Sequence, residues 1–165
     1  MVTSAVTKSH TLIIGVGNEY RGDDGVGLVV ARRLRKSAPA HTRIIEQSGE
    51  GAALMEAWKN TGNVIIIDAV HSGAAPGTVF RFDAGEQAIP VKFFHYSTHA
   101  FSVAEAVELA RALHQLPARL TVYGIEGKTF EAGAALSAEV EKAAPEVINQ
   151  IRQKARFISK VKSNA

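Results

Sequence analysis

The sequence predicts an α/β protein with a mostly parallel sheet and helices on both faces. Three observations carry this. Short β-branched runs alternate with segments of helical periodicity along the chain. Two of those runs, Thr11–Val16 (TLIIGV) and Asn63–Val70 (NVIIIDAV), are apolar almost throughout, the pattern of strands buried on both faces. No internal repeat, low-complexity stretch or linker divides the 165 residues, which are about the length of one domain.

The elements follow in order. Past the first strand and a glycine-rich loop, Val26, Val29, Val30 and Leu34 recur at helical spacing, with Arg32, Arg33 and Arg35 off that stripe. This helix should stop near Ser37, ahead of Ala38-Pro39. Residues 43–46 read as a second strand, followed by a short helix through Leu54, Met55 and Trp58. Residues 63–70 form the third strand. Residues 78–82 (TVFRF) alternate between Gly77 and Asp83, as an edge strand does. Only residues 71–77 separate it from the third strand, too few for a parallel crossover, so it should run antiparallel. Ser102-Val103-Ala104-Glu105 is a capping box opening a helix with the stripe Val103, Ala106, Val107, Ala110 and Leu113. Residues 120–125 (LTVYGI) read as the last strand. Residues 136–158 are helical in pattern, and Pro145 should kink that segment or start a new helix. The expectation is a single domain over 1–165, with an ordered core of about 10–157 and a frayed, solvated tail at 158–165.

Charge separates body from tail. Nineteen basic against sixteen acidic residues give +3, and the isoelectric point of about 9.3 invites a nucleic-acid reading. Arg152, Lys154, Arg156, Lys160 and Lys162 lie in residues 151–165 with no acid beside them. Without those five, 14 basic residues face 16 acidic ones over residues 1–150, a net of −2. A slightly acidic body repels phosphates, so nucleic acid is not the expected partner. The chain has no cysteine, which excludes disulfides, cysteine-ligated zinc, iron–sulfur clusters and a thiol nucleophile. Neither a signal peptide nor a run of membrane-spanning length is present, so a cytoplasmic protein with no membrane partner is expected.

In open α/β sheets, ligands bind beyond the carboxyl ends of the strands where the strand order reverses. Three polar clusters occupy such places. The first is GVGNEYRGDDGVG, residues 15–27. Its Gly15-x-Gly17 suggests a dinucleotide fingerprint, but Tyr20 takes the third glycine's place and two acids precede the helix, where a pyrophosphate would be repelled. No Gly-Lys-Ser/Thr follows, so it is not a P-loop. Asp23 and Asp24 either cap the helix or are divided between a cap and the cleft. The glycines at 22, 25 and 27 imply unusual backbone angles or close packing.

The second cluster is Asp68 at the end of a buried apolar strand, costly unless paired. It is either a carboxylate satisfied by loop N–H groups or a functional acid. His71 follows nearby as a lesser candidate. The third is His95-Tyr96-Ser97-Thr98-His99, ahead of the capped helix, with His99 ranked above His95 as a ligand. One or two carboxylates after the first strand, one after the third and a histidine form a mixed nitrogen and oxygen donor set. That set suits a borderline divalent metal such as nickel or zinc and is too nitrogen-rich for a typical magnesium site.

These residues also carry a resemblance. The chain resembles the hydrogenase maturation endopeptidases, which trim the C-terminal extension from the large subunit of nickel–iron hydrogenases after nickel insertion. The family's Gly-x-Gly-Asn and Asp-Asp/Glu-Gly-x-Gly stand here as Gly15-Val16-Gly17-Asn18 and Asp23-Asp24-Gly25-Val26-Gly27. Its Asp after the third strand matches Asp68, its Ser-x-His matches Ser97-Thr98-His99, and LTVYGIEG (residues 120–127) looks like its last strand and turn. The similarity runs from about Leu12 to Val147. It implies a three-layer α/β/α fold whose five-stranded, mostly parallel sheet contains one antiparallel strand. It further implies that Asp24, Asp68 and His99 face a cleft, contact a metal and carry catalysis. Many members have Glu at Asp24, so this carboxylate is one methylene shorter. The implied nickel is carried by the substrate, the precursor of a hydrogenase large subunit, and another divalent metal can replace it in the isolated protein. The enzyme is expected to act as a monomer.

With no cysteine, no Gly-x-Ser-x-Gly elbow and no His-Glu-x-x-His helix, direct attack by water is the expected route. Either nickel polarises the carbonyl or a water, or Asp24 or Asp68 acts as general base while the metal positions the peptide. Tyr20, Arg21 and Glu50 are candidates for the groove. Two rival readings stand beside this one. A non-catalytic nickel-binding maturation chaperone would use the same residues. A phosphoacceptor receiver-like domain also has an acid pair and an Asp after the third strand, but needs a lysine at the end of the last strand, and here Lys128 comes three residues late.

Overall fold

The computed structural model describes residues 11–94 and 99–164, with some side chains near the C-terminus left aside. Five strands form one sheet: β1 Thr11–Val16, β2 Thr42–Gln47, β3 Asn63–Val70, β4 Val79–Asp83 and β5 Arg119–Glu126. Their spatial order is β2-β1-β3-β5-β4. All neighbours pair in parallel except β4, which runs antiparallel to β5 at the sheet's edge. The short connection at 71–77 therefore fixed the direction of β4 as expected.

The apolar strands bury side chains on both faces, which requires a helical layer on each. Helices α1 (Val26–Arg35) and α4 (Ala138–Ser163) cover one face, where Ile13, Ile65, Ile67, Tyr123 and Ile125 meet Val26, Val30, Leu34, Val140 and Val147. Helices α2 (Gly51–Trp58) and α3 (Val103–Ala112) cover the other, over Leu12, Ile14, Val64, Ile66, Leu120 and Val122. Each of the Val, Leu and Ile side chains among them contributes about 1.5–3 kcal/mol on full burial. The reading of a three-layer α/β/α fold with one antiparallel strand is correct. No helix among the described residues is long and apolar enough to cross a membrane.

Some local expectations need correction. Neither acid of the Asp23–Asp24 pair caps α1. Gly25 holds that position with no side-chain cap, and a 3₁₀ turn, Gly22–Gly25, carries both acids ahead of the helix. Leu113, read as the end of the α3 stripe, lies beyond the helix and is 51% exposed. Of the two outcomes expected at Pro145, a new helix does not occur, because α4 runs through it unbroken. Pro145 and Glu141, whose carbonyl loses its partner, are both exposed, on the side of the helix where a missing hydrogen bond costs least. Meanwhile Val140, Ala143, Ala144, Val147, Ile148 and Ile151 keep both halves of the helix on the sheet. The helix runs on to Ser163, through most of the basic tail. The capping box at Ser102 is formed, the Glu105 carboxylate accepting the Ser102 N–H at 3.2 Å.

The approach of α1 to the sheet depends on Gly27. A Cβ there would lie 2.3 Å from the carbonyl oxygens of both Val16 and Ile67. These are backbone atoms that cannot rotate aside, so β1, β3 and α1 would have to separate. Gly27→Ala should cost about 3 kcal/mol, within the range of core overpacking. A urea midpoint equal to wild type would contradict this packing.

Candidate active site

The strand order places the site. After β1 the chain crosses to β2 on one side, then returns to place β3 on the other. The carboxyl ends of β1 and β3 thus face a crevice where successive connections diverge. A cavity of about 380 Å³ opens there, lined by Asn18, Glu19, Tyr20, Asp24, Ser48, Asp68 and His99 among others. Asp24, Asp68 and His99, predicted from three separate segments, come together on its wall. Among the described residues, no three His, Asp or Glu side chains are drawn close enough to enclose an ion. A larger groove of about 1130 Å³ runs beside α2 and α3, but its charged lining is only Glu56, Lys59 and Arg119. Chemistry, and not size, distinguishes the smaller cavity.

The backbone that delivers Asp24 is tightly folded. Gly17 has φ +150°, and a Cβ on it would lie 1.9 Å from the Asp24 carbonyl oxygen. Only glycine lets the end of β1 pass beneath this turn. The Asn18 side chain accepts the Tyr20 N–H at 3.0 Å, and the Arg21 N–H bonds the Asn18 carbonyl at 3.2 Å. Outside the turn, Glu19 pairs with Arg32, which also pairs with Glu46 on β2. These exposed pairs orient more than they stabilise.

Asp23 and Asp24, adjacent in sequence, have opposite fates. The fully buried Asp23 carboxylate accepts N–H groups of Lys128, Thr129 and Ser137 at 2.7, 3.0 and 2.7 Å, and the Ser137 hydroxyl at 2.9 Å. Its own N–H donates to the Thr129 carbonyl at 2.8 Å. Asp23 therefore joins the loop after β1 to the loop between β5 and α4. Asp24 turns into the cavity. Burial pushes its carboxyl above the ordinary aspartate range, against the pull of Arg21, the Asn18 N–H and His99.

Asp68 lies on the face of β3 that carries Val64, Ile66 and Val70, so it points to the same side of the sheet as α2 and α3. Its carboxyl is held well above its ordinary value. Burial is the main cause and the neighbouring Asp24 the second, with only a bond to the Ala69 N–H opposing them. Satisfaction by loop N–H groups, the bland reading of Asp68, occurs instead at Glu126. That buried acid at the end of β5 accepts the Ser72 N–H at 3.0 Å, its hydroxyl at 2.7 Å and the Gly73 N–H at 3.1 Å. The strand-end argument used for Asp68 applies equally to Glu126, so pattern alone does not tell the two roles apart.

The remaining candidates sort plainly. His99 lines the cavity ahead of α3. His95, Ser97 and Thr98 lie outside the described residues. His71 is not part of the cavity lining. Tyr20 lines the cavity and is 74% exposed, and Arg21 acts on Asp24 through charge. Glu50 caps α2 by accepting the Ala52 and Ala53 N–H groups at 2.9 Å. Lys128 pairs with Glu139 at 2.8 Å and stays exposed, so the lysine of a receiver-like site is missing from the cavity. Sequence reasoning missed Ser48, Phe93, Phe94 and Phe130, which sit in loops and short turns where no periodicity marks them.

The protein is thus a doubly wound α/β fold with a carboxylate pair and a histidine lining the cavity at its switch point. Comparison with known proteins makes the class specific. The family model described as hydrogenase maturation protease matches residues 28–154. A Methanocaldococcus jannaschii protein provisionally named a hydrogenase maturation protease is 30% identical over 151 residues, 87% of this chain and 95% of that one. Among solved structures, the hydrogenase maturating endopeptidase HybD from Escherichia coli superposes with a TM-score of 0.75 at 24% identity, covering 90% of this chain and 93% of that one. The [NiFe] hydrogenase maturation protease HybD from Thermococcus kodakarensis gives 0.66 at 25% identity, covering 88% and 99%. This chain belongs to the hydrogenase maturation protease family, a family of proteolytic enzymes.

The raised carboxyl of Asp68 has a consequence for stability. A group with a raised folded-state pKa contributes stability that is complete below its unfolded value, 3.8, and lost as pH rises through the folded value. Asp68→Asn should therefore match wild type near pH 3.8 and melt higher at neutral pH, by roughly 2–4 °C for each kcal/mol of relieved strain. Melting curves across that range check it. A variant less stable than wild type at pH 7 would contradict the buried-carboxyl account.

Proposed function

We propose that this protein removes the C-terminal extension of a nickel–iron hydrogenase large-subunit precursor, in the cytoplasm and after nickel insertion. In this reading, Asp24, Asp68 and His99 contact the nickel carried by the substrate. One observation supports it above others: two carboxylates and an imidazole, supplied by three separate segments, line one cavity at the switch point. Oxygen and nitrogen donors of this kind suit a borderline divalent ion.

The same residues provide for peptide hydrolysis by water. Burial and mutual repulsion favour a proton on the Asp24–Asp68 pair. A carboxyl kept protonated by an apolar site can give its proton to the departing amine, while its ionised partner takes one from the attacking water. Nickel arriving with the peptide would add positive charge beside the pair, favouring the single ionised carboxylate that takes the water's proton while its partner keeps the proton for the amine, and would polarise the carbonyl as a Lewis acid. Cleavage in this scheme depends on a loaded precursor, because the ion completes the site.

The test is incubation of the protein with nickel-loaded and nickel-free precursor, followed by mass spectrometry of the large subunit. The loaded precursor should lose its extension and the nickel-free one should not. Asp24→Asn and His99→Ala should slow processing at least about 100-fold, the usual scale of a lost acid–base group. Wild-type rates in Asp24→Asn would overturn the site. Binding of loaded precursor without any cleavage would favour a nickel-binding maturation chaperone.

A further inference from the structure

Two aromatic residues of the cavity, Phe93 and Phe130, come from opposite sides of the sheet, and each is held by its own support. Phe130 follows directly on Lys128 and Thr129, whose N–H groups are bound by the Asp23 carboxylate. Its ring lies against Gly127, where a Cβ would sit 2.4 Å from the Phe130 Cζ, so no side chain can stand there without displacing the ring. Phe93 is backed by Phe80 and Phe82, with ring centroids 5.2 and 6.0 Å away.

His71 connects the two. Its backbone N–H donates to the Phe93 carbonyl at 2.9 Å, and its ring meets Phe130 edge-on, centroids 5.9 Å apart and planes at 85°. His71 stands three residues beyond Asp68. One short segment therefore carries a cavity carboxylate and the strut between both aromatic walls. Phe130 is thus a partly exposed ring seated on a bare glycine and met edge-on by His71, just beyond backbone held by a buried carboxylate.

We propose that Phe93 and Phe130 form an aromatic clamp for an apolar side chain of the precursor peptide beside the scissile bond, and that His71 is the positioning residue that sets the clamp's width. The inference rests on the proteolytic reading and adds a determinant of substrate choice to it. The walls are preorganised, so binding sacrifices little conformational freedom, and burying an apolar side chain between rings supplies affinity without contact to the reacting atoms. Loss of the clamp acts on ground-state binding and leaves the chemical step in place.

Steady-state processing of nickel-loaded precursor by Phe130→Ala, Phe130→Leu and His71→Ala tests this. Phe130→Ala should raise KM about tenfold, the scale of one lost apolar contact, with kcat within roughly threefold of wild type. Phe130→Leu should recover most of that loss, and His71→Ala should raise KM in the same direction by less. Replacing the precursor's apolar residues flanking the cut with Ser should make wild type behave as Phe130→Ala does. A second measurement keeps the clamp and the protease reading separable. Equilibrium binding of loaded precursor to Asp24→Asn is compared with binding to Asp24→Asn/Phe130→Ala. About tenfold weaker binding in the double variant supports the clamp even if wild type never cleaves, in which case only the proteolytic reading falls. Unchanged KM and unchanged binding on removal of the Phe130 ring overturn the clamp.

Discussion

Four hydrogen bonds converge on the Asp23 carboxylate, and the rest of the cavity's rim is built on them. Asp23 ties the loop that carries Asp24 to the loop that carries Phe130, and it receives the N–H of Ser137, which precedes α4. A hydrogen bond to a charged group contributes about 1.5–3 kcal/mol, and a buried donor left without its acceptor costs about 1–3 kcal/mol. The carboxylate and its donors are therefore mutually obligatory. The backbone returns the tie, with Gly22 N–H donating to the Ala134 carbonyl and Gly133 N–H to that of Tyr20. Two loops far apart in sequence thus behave as one rigid rim around the cavity.

Against this frame, the buried acids divide by what satisfies them. Asp23 and Glu126 are saturated by N–H and O–H donors and hold loops in place. Asp68 has one backbone donor and a second carboxylate for a neighbour. Such a group is costly to the fold and available for chemistry, because a proton or a cation lowers its energy. The cavity's electrostatics thus agree with a function in which a cation arrives from outside, and the stability lost at Asp68 is the counterpart of that readiness.

Much of this was legible in the sequence because it rests on local rules. The apolar runs at 11–16 and 63–70 reported burial on both faces, and the brevity of 71–77 reported the direction of β4. Asp24, Asp68 and His99 were found by their places at strand ends and before a helix, and by the family motif. What stayed hidden depends on contacts between distant segments. The partners of Asp23 lie more than 100 residues away, so pattern offered helix capping, the local alternative. Glu126 has the sequence setting of Asp68 and differs only in the donors that fold against it. Pro145 reads as a kink or a new start until the packing of both halves of α4 on the sheet is known. Phe93 and Phe130 sit where no periodicity exists, and only the folded loops reveal their wall.

The central proposal is that Asp24, Asp68 and His99, which line one cavity, contact a single nickel ion. Diffraction at the nickel absorption edge, from crystals exposed to Ni²⁺, measures this directly. The account predicts an anomalous peak in the cavity, within roughly 2 Å of an oxygen from each carboxylate and an imidazole nitrogen of His99, the usual length for first-row ions. Nickel bound only at surface histidines such as His41 or His114, with the cavity lacking the peak, would contradict it.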